Sequence, residues 1–225
     1  EGTDLVFLRE LTGGIYFGEK GRRDGGETAF DNCVYTREEV QRLAKKGFEL
    51  AMTRSKKLCC VDKANVLETS RLWRETVQAM EKEYPEVEVA YEFVDAVAMR
   101  LVQWPNSYDV LITENLFGDI LTDEASVISG SMGLMPSASM GADIALFEPI
   151  HGSYPQATGL NIANPMATVL SAAMMFENFG LQEEGKAIRA AVNKALAQGI
   201  VTEDLAEGGT AHGTKEVGDW LAENI

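Results

Sequence analysis

Two aspartates four residues apart, Asp119 and Asp123, carry the clearest chemical signal in this 225-residue chain. In a helix, positions i and i+4 share one face, so both carboxylates would project to the same side, one turn apart. Like charges at that spacing weaken a helix by roughly a few tenths of a kcal/mol. A divalent cation reverses the sign, because Mg²⁺ or Mn²⁺ takes carboxylate oxygens as ligands. The same pair also suits a helix's first turn, where acids oppose the dipole. Other chemistry-bearing residues stand where apolar runs end: Arg9, Lys63 and Asp95. In open α/β sheets the ligand crevice lies at the carboxyl ends of the strands. Each has a structural alternative: Arg9 as partner of Glu10 or another acid, Lys63 as an exposed strand-end charge, Asp95 as a helix N-cap.

The elements that would place these residues follow from periodicity. Asp4 to Leu8 reads as a short buried strand. The glycine-rich stretch after it, through Gly21 to Gly26, reads as an irregular, exposed excursion. Val40, Leu43, Ala44, Gly47, Phe48 and Ala51 keep helical spacing. Lys57 to Val61 is a strand delivering Lys63. A helix with Leu72, Trp73, Thr76, Val77 and Met80 on one face follows, closed by Pro85. Val87 to Val94 alternates in part, as a strand with one exposed side, and Ala96 to Leu101 turns helical. Tyr108 to Ile112 reads as a buried parallel strand, with a turn at Asn115 to Gly118 opening the helix of Asp119 and Asp123.

From Ile128 the character shifts to small residues broken by Gly130, Gly133, Pro136 and Gly141. Ala145 to Phe147 is a short strand. It leads into Glu148 to Gly159, a bendable loop whose backbone amides and hydroxyls could wrap a nucleotide, though it is neither a P-loop nor a G-x-G-x-x-G fingerprint. A helix opened by Asn164-Pro165 is apolar nearly all round and is expected to be buried. Two amphipathic helices, through Ile188 to Leu196 and through Val217 to Leu221, finish the chain. The class is α/β, with domains expected at 1–130 and 131–225.

Thirty-five acids against twenty bases give a net charge of −15, which disfavours nucleic acid and anionic membranes as partners. No apolar run reaches the length of a membrane span. Cys33, Cys59 and Cys60 are an odd set without metal-finger spacing, two of them inside an apolar run; a reducing, cytoplasmic compartment is expected. The absence of an initiator Met suggests a chain that begins inside a longer protein.

Four segments in order, Arg9 to Gly18, Asp62 to Leu67, Asn115 to Asp123 and Glu148 to Ser153, resemble successive motifs of the isocitrate/isopropylmalate dehydrogenase family of β-decarboxylating dehydrogenases. The resemblance implies that family's two-domain fold, here truncated by roughly its N-terminal third. Residues 1–130 would be the substrate, metal and dimerisation domain, and 131–225 the C-terminal part of the nucleotide-binding domain. It implies NAD-dependent oxidation of a 2-hydroxy acid followed by loss of CO₂. The Leu-Thr-Gly-Gly-Ile-Tyr-Phe-Gly run after Arg9 favours 3-isopropylmalate, a leucine precursor; homoisocitrate- or tartrate-type substrates are the alternatives, as is a non-catalytic dimerising fragment. By the resemblance, Asp95, Asp119 and Asp123 hold Mg²⁺ or Mn²⁺. Arg9 clamps a substrate carboxylate, Asp95 also lies against substrate, Lys63 is the general base and Tyr16 the proton donor. His151, Gly152, Ser153, Tyr154, Pro155, Gln156, Gly159 and Asn164 close over the adenosine side of NAD. The active sites of a homodimer would be shared, Lys63 and Asp95 reaching across. Two departures stand out: Gln156 replaces the acid usual in NAD-dependent members, and Tyr154 a usually small residue.

Overall fold

A computed structural model describes residues 2–225, which form two compact units divided between Ala125 and Ser126. In the first unit the elements are β1 (Val6–Arg9), β2 (Lys20–Arg23), β3 (Thr28–Asp31), α1 (Arg37–Thr53), β4 (Lys57–Asp62), α2 (Glu68–Met80), β5 (Glu88–Phe93), α3 (Val94–Gln103), β6 (Val110–Thr113) and α4 (Asn115–Ser126). Strands β1, β6, β4 and β5 lie side by side in that order, all parallel. The chain steps from β4 to β5 and then crosses back to the other side of β4. The boundary of β4 and β6 is therefore the switch point at which such sheets bind ligands.

Alternation along the buried strands sets two cores. Leu58, Cys60, Val110 and Ile112 face α1 and α2, packing with Val40, Phe48, Trp73 and Val77. Cys59, Val61 and Leu111 face the other way and pack with Val97 and Leu101 of α3 and Leu121 of α4. Helices thus cover both faces of the sheet, which explains the continuous apolar runs of β4 and β6. Burial raises the thiols of Cys59 and Cys60 well above their ordinary value, so both behave as small hydrophobes.

The amino ends of the strands are pinned by Asp109. It is buried and accepts the Ser55 amide at 2.9 Å, the Ser55 hydroxyl and Nε of Arg54, whose Nη2 also reaches Asp4 at 2.8 Å. Burial opposes the charge, but Ser55 and Arg54 outweigh it and hold the carboxyl below the usual carboxylate range. An acid depressed on folding stabilises the fold above its unfolded pKa, about 3.9, and loses that contribution as pH falls through its folded value. Asp109→Asn is therefore expected to lower the urea midpoint at pH 7 and to flatten its fall below about pH 4. An unchanged acid limb would contradict this.

The second unit comprises β7 (Pro136–Met140), β8 (Ala145–Pro149), α5 (Met166–Asn178), α6 (Gln182–Gln198) and α7 (Thr214–Asn224). Its core joins Met166 of α5, Ala191, Val192 and Ala195 of α6, Val201, and Val217 and Leu221 of α7. No helix among the described residues is long and apolar enough to cross a membrane.

Four expectations need correction. Residues 20–31 form an antiparallel hairpin rather than an irregular excursion, the glycines at 25 and 26 supplying its turn with positive φ. Residues 136–140 form a strand paired with β8, since a two-stranded ladder tolerates an edge proline. Asp95 is not an N-cap: Phe93 occupies that position and Asp95 lies in the first turn of α3. Helix α5 is only partly buried, with Val169, Leu170, Met174 and Met175 intermediate, so its all-round apolarity does not match its cover within this unit.

Candidate functional site

The site grows from the carboxyl ends of the parallel strands. Arg9 is the last residue of β1, and β1 pairs with β6, so Arg9 stands beside Thr113 and the start of α4. The sequence reading placed a turn at Asn115 to Gly118. Helix α4 begins at Asn115 itself, because buried Glu114 supplies the missing partner, its Oε1 accepting the Phe117 amide at 2.9 Å. Gly118 lies directly under the arginine: a Cβ there would come within 2.6 Å of Arg9 Cγ. The guanidinium can therefore lie across the first turn of α4. Its Nε and Nη2 donate to Asn115 Oδ1 at 3.0 and 2.7 Å, and its Nη1 meets Asp119 Oδ1 at 2.7 Å.

Tyr16 joins the same group. It donates its hydroxyl to Asp119 Oδ2 at 2.9 Å, and the Arg9 cation lies 5.9 Å from its ring centre. Partial burial and the neighbouring Asp119 carboxylate raise the phenol above its ordinary value, so it keeps its proton at neutral pH. Asp119 and Asp123 are one turn apart on α4, Asp119 half-exposed and Asp123 exposed. Arg9, Tyr16 and Asp119 are thus brought together.

A second group stands at the ends of β4 and β5. Lys63 pairs with Asp95, and the lysine draws the Asp95 carboxyl below its usual range. Lys63 is placed by buried Asp62, which takes Nε and Nη2 of Arg74 at 2.8 and 3.0 Å and the Ala64 amide at 2.9 Å, while Ser70 receives the Lys63 amide. Neighbouring strands are spaced about 4.8 Å apart, so the ends of β1 and β5 are separated by roughly 14 Å. Among the described residues no three His, Cys, Asp or Glu side chains assemble as a metal cage. Asp119 and Asp123 fit part of a hard cation's oxygen shell, and Asp95 belongs to the other group.

In the second unit, His151 to Gly159 follows β8. His151 Nδ1 lies 2.9 Å from the Gly152 carbonyl, Gly152 to Gln156 are exposed, and Gly159 has φ +77°. Asn164 accepts the Met166 amide at 2.9 Å and donates to Asp204 at 3.0 Å. Burial opposes the Asp204 charge, yet hydrogen bonds from Ser131, Thr202 and Asn164 hold its carboxyl below the usual range. This cluster anchors the start of α5, beyond the loop.

Sequence reasoning missed the buried polar layer beneath Arg9: Glu10, Tyr35 and Glu114. Glu10 accepts the Thr12 and Gly13 amides at 3.0 and 2.6 Å and Arg42 at 3.3 Å, so it is not the partner of Arg9. The available signal was position, since Glu10 and Glu114 each follow directly on a strand of the buried sheet.

Residues 1–221 match the model of the family described as isocitrate/isopropylmalate dehydrogenase. The chain is 56% identical along its whole length to 3-isopropylmalate dehydrogenase of Bacteroides fragilis and spans 64% of that relative. It is 55% identical to 3-isopropylmalate dehydrogenase of Desulfitobacterium hafniense over 97% of this chain and 63% of the relative. A crystal structure of isocitrate dehydrogenase from Methylococcus capsulatus superposes with a TM-score of 0.93 at 38% identity, covering 100% of this chain and 70% of that one. The apo β-decarboxylating dehydrogenase of Thermococcus kodakarensis gives 0.86 at 39% identity, covering 99% and 65%. Motif order, parallel-sheet topology and these matches agree, and the chain belongs to the isocitrate/isopropylmalate dehydrogenase family.

Proposed function

We propose that this chain is the larger part of an NAD-dependent, cytoplasmic dehydrogenase that oxidises 3-isopropylmalate and releases its β-carboxylate as CO₂, giving 2-oxoisocaproate in leucine biosynthesis. The observation that carries the reading is the 56% identity along the full chain to a 3-isopropylmalate dehydrogenase. The Arg9, Tyr16 and Asp119 cluster supports it.

Residues 1–130 hold the substrate and cation, and residues 131–225 contribute to the nucleotide-binding domain. Arg9 presents a planar cation to a substrate carboxylate. Asp119 and Asp123 hold Mg²⁺ or Mn²⁺, and Asp95 completes the set. A bound cation would supply Lewis acidity for the substrate hydroxyl and for enolate charge, and bound NAD would supply the hydride acceptor. Lys63 takes the hydroxyl proton. Tyr16, protonated at neutral pH, returns a proton to the enolate carbon. His151, Gly152, Ser153, Tyr154, Pro155, Gln156, Gly159 and Asn164 grip the adenosine side of the dinucleotide. Lys63 and Asp95 act in a partner's site, in keeping with their pairing with each other while Arg9 pairs with Asp119.

The test is to put this chain in place of the matching segment of the Bacteroides fragilis relative and to follow NADH with 3-isopropylmalate, NAD⁺ and Mn²⁺. An NADP⁺ arm addresses Gln156. The chimera is expected to turn over and the 225-residue chain alone to be inactive. A folded, dimeric chimera producing no NADH would overturn the reading, and NADH from the chain alone would overturn its inactivity.

A further inference from the structure

The arginine at the end of β1 is not free to rotate, and the groups that hold it lie beneath the site. Asn115 is buried. Its Oδ1 receives two donors of Arg9, and its Nδ2 donates to the Gly13 carbonyl at 3.1 Å. Its own amide, the first of α4, donates to the Tyr35 hydroxyl at 2.9 Å, and that hydroxyl donates to Glu114 Oε2 at 3.0 Å. Tyr35 in turn is locked by Trp73, edge to face at 5.7 Å, and by the backbone of Gly14, where a Cβ would fall 2.1 Å from the hydroxyl. Gly14 has φ +75°, so a side chain there is strained as well as excluded. Tyr35, Glu114 and Asn115 are each less than a tenth exposed.

A buried polar chain with every member satisfied rigidifies what it supports. Here it supports one orientation of one side chain. Asn115 takes the Nε and Nη2 edge of the guanidinium, which leaves Nη1 as the donor directed to Asp119. We propose that Asn115 is the positioning residue of Arg9, held in place by the Tyr35 and Glu114 pair, so that Arg9 meets an anionic substrate through its Nη1 side rather than through the Nε edge. This deepens the dehydrogenase reading and rests on it for the anion's identity, a hydroxy acid carboxylate.

The experiment uses the 225-residue chain without ligand and reads the Arg9 Nε–H by ¹⁵N NMR, assigned by its disappearance in Arg9→Lys. In the unaltered chain this proton is expected to exchange with water at least about tenfold more slowly than that of exposed Arg22, as a paired, part-buried donor should. Asn115→Ser, too short to reach, is expected to remove that protection. Tyr35→Phe, which keeps the ring and deletes the hydroxyl, is expected to weaken it, and Glu114→Gln, which keeps an acceptor for Tyr35, to retain most of it. Exchange as fast as Arg22 in the unaltered chain overturns the proposal without recourse to any variant. So does unchanged protection in a folded Asn115→Ser. Neither result bears on turnover of the chimera, so the positioning claim and the dehydrogenase reading can fail separately.

Discussion

Mixed dimers of the chimera with the Bacteroides fragilis relative, one subunit carrying Lys63→Ala and the other Asp119→Ala, are expected to recover roughly a quarter of the unaltered chimera's turnover, although each variant alone is nearly inactive. Loss of a general base costs about a hundred- to ten-thousandfold, which sets the floor for Lys63→Ala. Recovery follows from sharing. In a two-fold dimer whose sites each take Arg9, Tyr16 and Asp119 from one chain and Lys63 and Asp95 from the other, a mixed dimer has one doubly damaged site and one intact site. Random pairing makes about half the dimers mixed, and each mixed dimer works at half strength. The structure motivates this division: Tyr16 and Asp119 gather around Arg9, whereas Lys63 and Asp95 pair with each other at the ends of β4 and β5. No recovery in mixed dimers purified through two tags would count against it.

Replacing Arg74 with methionine is expected to cost about 3 kcal/mol and to lower the midpoint of thermal unfolding by about 10 °C. Asp62 is 1% exposed and takes two hydrogen bonds from the guanidinium, so its removal leaves a buried carboxylate uncompensated. The control is Arg71→Met. Its partner Glu68 is an exposed residue on the same helix, and surface pairs of that kind are worth about 1 kcal/mol or less. A second variant carrying both Asp62→Leu and Arg74→Met is expected to regain most of the loss, since apolar replacement of a buried pair is close to neutral. Equal effects of the two arginine substitutions would show that the Asp62 pair carries no special burden.

Much of the first unit was legible because burial on both faces of a parallel sheet writes itself as continuous apolar runs. Leu58 to Val61 and Val110 to Ile112 are such runs, and the helix of Val40 to Ala51 keeps its period without interruption. The start of α4 was misread because Gly118 resembles a turn glycine, whereas here it makes room for the stem of Arg9. That requirement is tertiary and leaves no local trace. The hairpin at 20–31 was hidden for a related reason: both strands are largely exposed and polar, and a ladder held by backbone pairs imposes no apolar alternation. The motif residues of the site were legible by their types and order. The buried acids that hold them were not, since Glu10, Asp62 and Glu114 look in sequence like any charges near strand ends.

In the proposed site, Asp119 and Asp123 of one chain and Asp95 of another grip a divalent cation. The test is to titrate Mn²⁺ into the 225-residue chain and count bound ion by electron paramagnetic resonance. One Mn²⁺ per chain is expected, with binding weakened at least about tenfold by Asp119→Asn, Asp123→Asn or Asp95→Asn, each of which removes one charged hard-oxygen ligand. Binding that survives unchanged in all three would contradict it.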